Sequence, residues 1–156
     1  MRTVIVCTSV SHGNTRRIAD VMGRVLDARV VEPERIDAAE LATYDLVGFG
    51  SGIFTQNVHP RLRGFVESLP EDGRYRKAFV FTTSGLPEPP FRPHSRPLAR
   101  LLERKGFDVS GTFQCRGYDT WLPFKLVGGI RKGRPDAGDL QAARAFAEGL
   151  RVRALT

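Results

Sequence analysis

Apolar positions along the chain follow two alternating rhythms. Residues 3–8 (TVIVCT) form a short run rich in β-branched side chains, the pattern of a strand buried on both faces. After the polar stretch SVSHGNT, Ile18, Val21, Met22, Val25 and Leu26 recur at helical spacing and predict an amphipathic helix over 14–27. Residues 28–31 read as a second strand and 45–50 (DLVGFG) as a third. Residues 60–69 read as a helix, with Pro60 suited to the first turn, and 78–83 (AFVFTT) as a fourth strand. A basic helix over 95–105 carries Leu98, Leu101 and Leu102 and stops at Gly106. Residues 107–115 read as a fifth strand. The last helix, 139–150, places Leu140, Ala143, Phe146, Ala147 and Leu150 on its inner face.

Five strands alternating with helices predict an α/β fold, a parallel sheet covered on both sides, with few topologies left once crossovers are right-handed. The 156 residues suit a single domain over 1–156, long enough to bury a core without cross-links. No apolar run approaches the roughly 18 residues of a membrane span. The N-terminus, strand-like from Thr3, does not resemble a signal peptide, so the expected location is cytoplasmic. Cys7 and Cys115 form no C-x-x-C pair and are expected to be buried thiols. His59 and His94 lack metal-ligand spacing, so no metal is expected. Two stretches are not element-like: the proline-dense 86–97, and 116–135 with Tyr118, Trp121 and Phe124.

In such a sheet the chemistry belongs where connections leave the carboxyl ends of the strands, here 9–15, 51–58 and 84–91. The first of these packs Ser9, Ser11, His12, Gly13, Asn14 and Thr15 between a strand and a helix. Hydroxyls and free backbone N–H groups at a helix N-terminus suit a phosphate dianion without a lysine. Neither G-x-x-x-x-G-K-[ST] nor G-x-G-x-x-G is present; Gly48, Gly50 and Gly52 have the wrong spacing. Cys7 and Thr8 stand where a response regulator would carry acidic residues. Cys7 also has no arginine at the distance a small phosphotyrosine phosphatase requires.

The S-x-S-H-G-N-T loop, the YDLVGFGSGIF stretch, the TTSG turn and the KGRPDAGDLQAARAFAEGL finish, in that order, resemble the flavodoxin family over almost the whole chain. The resemblance implies a flavodoxin-like doubly wound five-stranded parallel sheet, order 2-1-3-4-5, in three α/β/α layers, binding FMN. Ser9, Ser11, His12, Gly13, Asn14 and Thr15 would take the phosphate, His12 standing where many members have threonine. Ser51, Gly52, Ile53 and Phe54 would form the second flavin loop, its backbone facing N5 and Phe54 stacking on the ring. Thr83, Ser84, Gly85 and Leu86 would wall the pyrimidine side with backbone donors. Tyr118 and Trp121 either cover the second face of the ring or pack a surface extension.

The resemblance implies an electron-transfer protein cycling one electron at a time. The alternative is an NAD(P)H-dependent quinone or flavin reductase on the same fold, with Arg92, Arg96 and Arg116 near the mouth. Charge modifies the picture. The formal net charge is +7, but residues 1–75 carry 9 basic and 10 acidic side chains and residues 76–156 carry 15 and 7. The basic second half implies an acidic redox partner protein, with the chain a monomer or weak homodimer. No motif for nucleic acid or membrane accompanies the charge. The P-x-x-P spacing of Pro87 and Pro90 permits a polyproline ligand, but a stiff loop beside a flavin is the simpler account.

Overall fold

The computed structural model describes residues 1–8, 14–54, 57–71, 73–84, 95–116 and 137–155. The strands are β1 (Thr3–Thr8), β2 (Arg29–Val31), β3 (Leu46–Phe54), β4 (Asn57–Val58), β5 (Lys77–Ser84) and β6 (Asp108–Arg116). The helices are α1 (Asn14–Leu26), α2 (Ala38–Leu41), α3 (Pro60–Glu67), α4 (Arg96–Arg104) and α5 (Ala137–Leu155). The long strands pair in parallel in the order β2-β1-β3-β5-β6, which is the expected 2-1-3-4-5 sheet. Two-residue β4 folds back antiparallel on the end of β3.

The sheet is apolar on both faces because two sets of side chains alternate along each strand. Ile5, Cys7, Leu46, Phe79 and Phe81 meet Ile18, Met22 and Leu26 of α1 and Ala143, Ala147 and Leu150 of α5. Val4, Val6, Val47, Phe49, Ala78 and Val80 meet Leu62 and Val66 of α3 and Leu98, Leu101 and Leu102 of α4. Each helix buries the stripe that its spacing marks out.

Gly48 and Gly50 have a packing purpose. A Cβ at either would fall on the aromatic ring opposite, Phe79 for Gly48 and Phe81 for Gly50, so their absence of side chain seats those two rings. The rings are fully buried and stack with centroids 6.1 Å apart. At the other end of the molecule Lys105 is buried and donates to the carbonyls of Glu67 (2.9 Å) and Leu69 (2.7 Å), tying the end of α4 to the end of α3.

Three boundaries differ from the pattern reading. The third strand runs past Gly50 to Phe54, because Ser51 and Gly52 continue the ladder between β1 and β5 before Ile53 and Phe54 turn onto Val58 and Asn57. Between β2 and β3, where periodicity marks no element, a single 3-10 turn (Pro33–Arg35) precedes α2, which is capped by the Asp37 carboxylate accepting from Glu40 N–H. The last helix extends beyond both expected ends. The proline-dense and aromatic-bearing stretches, 86–97 and 116–135, lie largely outside the described residues.

Candidate functional site at the carboxyl end of the sheet

Strand order reverses between β1 and β3, so the connection after β1 leaves to one face and that after β3 to the other. The crevice between them is the place for a ligand. Three strand ends meet there in register: Thr8 opposite Ser51, and Ser51 opposite Thr82. One residue further, Gly52 stands opposite Thr83. With Asn14 and Thr15 from the first turn of α1, these hydroxyl and amide side chains form a polar rim on an otherwise apolar sheet, all of them buried.

The rim joins parts of the chain that sequence can only treat separately. Thr15 Oγ1 and Thr83 Oγ1 lie 2.8 Å apart in a buried hydrogen bond spanning 68 positions of sequence. It fastens the start of α1 to the end of β5. Ser51 has two partners of its own. Its hydroxyl donates to the Gly52 carbonyl (2.6 Å) and accepts from His59 N–H (2.8 Å), closing the hairpin before α3. His59 in turn caps α3, its Nδ1 accepting from Arg61 N–H at 3.0 Å.

Other hydroxyls are unsatisfied. Among the described residues Thr8 Oγ1 and Thr82 Oγ1, the two flanking Ser51 in the row, are buried without a hydrogen-bond partner; Thr3 Oγ1, at the opposite end of β1, is the third such atom. A buried hydroxyl without a partner costs about 1–3 kcal/mol. The site is thus rich in groups that can bond to polar edges. The first turn of α1 carries no acidic residue to oppose an anion. Cys7 beside it is no nucleophile: burial pushes its thiol up to about 12, against a smaller opposing pull from Arg16. No group of three or more potential metal-ligating side chains occurs among the described residues.

The structure brings together Asn14, Thr15, Ser51, Gly52, Ile53 and Thr83, with Phe54 and Ser84 as the last residues of their strands. Ser9, Ser11, His12, Gly13, Gly85, Leu86, Tyr118 and Trp121 lie outside the described residues. Thr8 and Thr82 join the rim although sequence reading does not single them out. Each closes or nearly closes a β-branched or aromatic run, but their place beside Ser51 depends on strand register, which a single sequence does not display.

A flavodoxin-domain family model matches residues 5–109, which include β1, α1, β3 and β5. An uncharacterised protein of Methanocaldococcus jannaschii is 34% identical over 150 residues, 96% of this chain and 98% of the relative. Among solved structures, a flavodoxin from the domain Archaea superposes with a TM-score of 0.70 at 16% identity, covering 100% of both chains. Flavodoxin 1 from Bacillus cereus superposes with a TM-score of 0.68 at 18% identity, covering 94% of this chain and 95% of its own. At those identities the two structures speak for the fold. The family match, with a close relative aligned nearly end to end, carries more: the chain belongs to the flavodoxin family, whose members generally bind a flavin.

Proposed function

We propose that this protein binds FMN at the carboxyl end of the sheet and works as an electron carrier cycling one electron at a time. The observation that carries this reading is the rim itself: the ends of β1, β3 and β5 lie side by side in register, and the Thr15–Thr83 bond holds the start of α1 to the end of β5. Bound FMN would supply the redox chemistry; the chain's part is to hold it and shield it.

Ser9, Ser11, His12, Gly13, Asn14 and Thr15 hold the phosphate at the start of α1, where helix N–H groups and hydroxyls favour an anion. The peptide groups of Ser51, Gly52, Ile53 and Phe54 face one edge of the ring. Those of Thr83, Ser84, Gly85 and Leu86 would donate to the other and would stabilise negative charge there. Tyr118 and Trp121 would cover the ring's open face. The unpartnered hydroxyls of Thr8 and Thr82 support the reading, since a polar ligand at this edge gives them something to bond to, directly or through water.

The test is the absorbance spectrum of purified protein, followed by stepwise photoreduction. A yellow protein that releases FMN on denaturation and takes up electrons singly is expected. Colourless protein that fails to bind added FMN sinks the proposal. Rapid bleaching on mixing with NADPH would make the protein a reductase.

A further inference from the structure

Several arginines elsewhere on the chain are engaged, whereas Arg17, Arg35 and Arg74 stand singly with no ion-pair partner among the described residues. Arg16 pairs with Asp20, Arg29 with Glu40, Arg61 with Glu34, Arg76 with Asp45 and Arg151 with Glu148. α4 is different. Arg96, Arg100 and Arg104 are exposed, recur every fourth residue, and have no ion-pair partner among the described residues. They line a groove of about 320 Å³ between α3 and α4, with Arg63 on the far wall and Val58 and Leu101 among its apolar lining. The groove's one carboxylate, Glu67, is held by Arg63 at 2.9 Å. Glu103, on the same helix, does not line it.

This arrangement works against the helix that bears it. Like charges four residues apart repel on a helix, and a cation at the first turn faces the positive end of the dipole. Arg96 sits in that first turn with no acidic residue beside it. The walls are nonetheless fixed, because the buried Lys105 joins the two helix ends and Leu98, Leu101 and Leu102 anchor α4. A groove bearing arginines at three positions that rise about 6 Å each along the helix axis matches carboxylates at the same helical spacing on another molecule.

We infer that the α3–α4 groove docks an acidic helix of a partner protein, with Arg96, Arg100 and Arg104 pairing to its carboxylates and Val58 and Leu101 meeting an apolar side chain between them. The groove begins at the carboxyl end of the sheet, where Val58 ends the β3–β4 hairpin and Arg96 opens α4 after β5. A partner laid in it is thereby brought beside the rim. Only that consequence rests on the electron-carrier reading, since none of the residues proposed to hold FMN lines the groove.

The experiment measures fluorescence anisotropy of a labelled helical peptide bearing glutamates at i, i+4 and i+8, and of its glutamine counterpart, with the full chain. The glutamate peptide should bind, weaken as salt is raised, and lose about tenfold or more in affinity to the R96Q/R100Q/R104Q variant. The R24Q/R144Q/R151Q variant, altered in the other arginine-lined groove between α1 and α5, should stay within about twofold. Failure of the glutamate peptide to bind, equal loss in both variants, or tighter binding of a single-stranded oligonucleotide through the same three arginines overturns the inference. Protein that binds the peptide but not FMN keeps this inference and loses the electron-carrier reading. Circular dichroism checks that the exposed substitutions leave the fold intact.

Discussion

The middle of the sheet and its carboxyl end are built from the same strands and differ in what their side chains are committed to. In the middle every position is spent on packing: Gly48 and Gly50 admit the rings of Phe79 and Phe81, and those rings fill the space under α1 and α5. One or two residues further along the same strands, the sequence changes to Thr8, Ser51, Thr82 and Thr83. There Thr15, Thr83 and Ser51 are bonded, while Thr8 and Thr82 keep unused bonding capacity. Buried polar groups held in that state weaken a fold, so their place at the topological switch point separates the part of the sheet that makes stability from the part that receives a ligand.

The largest effect is expected in the middle. Gly50→Ala puts a methyl group onto the Phe81 ring, which is enclosed and has nowhere to move. Unfolding in urea should show a loss of about 1–3 kcal/mol, as overpacking of a well-filled core does. Pairing it with Phe81→Leu should recover part of the loss. Wild-type stability for Gly50→Ala would show that the glycines are not packing residues.

Next comes the bonded part of the rim. Thr83→Val leaves Thr15 Oγ1 buried without its 2.8 Å partner and should cost about 1–3 kcal/mol. Removing both hydroxyls in T15V/T83V should cost less than the two single changes added together, because neither partner is then stranded. A double-mutant cycle with no coupling would show that the two hydroxyls do not hold α1 to β5.

The unbonded part should behave in the opposite way. Thr82→Val or Thr8→Val removes a hydroxyl that has no partner to lose. The protein without flavin should be unchanged or gain up to about 1 kcal/mol, while FMN affinity falls. A clear loss of stability in the flavin-free protein would show that these hydroxyls are satisfied after all, and would erase the distinction between the two kinds of rim residue.

How much of this contrast is legible in the sequence follows from the range of the interactions concerned. The strand order and the helix faces rest on local periodicity and on motifs, and Ile18, Met22, Leu102 and Ala147 are buried as their spacing predicts. The glycine-and-phenylalanine interlock is not legible, because Gly48 and Phe79 are 31 residues apart and only pairing in register brings them together. The same applies to Thr15 and Thr83: each stands in a readable motif, but their bond is a tertiary fact. The β3–β4 hairpin stays hidden because two-residue β4 carries no period of its own. The run of arginines on α4 is visible in the letters, whereas their lack of partners depends on which carboxylates the fold brings near.

The smallest expected effect tests whether surface charge, rather than the buried rim, holds this end of the molecule. From Ser51 a chain of bonds leads outward through His59 to Arg61, whose guanidinium donates two bonds of 2.7 Å to Glu34. The side-chain bond from Arg61 is the main reason that the Glu34 carboxyl is lowered from 4.5 to about 2. A depressed carboxylate stabilises the fold above its unfolded value, and that contribution fades as pH falls from there through about 2. Because Glu34 is exposed, solvent and salt screen the pair, and the contribution is small. Urea midpoints of the protein and of Glu34→Gln should therefore differ slightly at neutral pH and low salt, then converge on acidification or in high salt. A Glu34→Gln loss as large as that of Thr83→Val, persisting in salt, would place the hold on α3 in this surface pair and not in the hydroxyls beneath it.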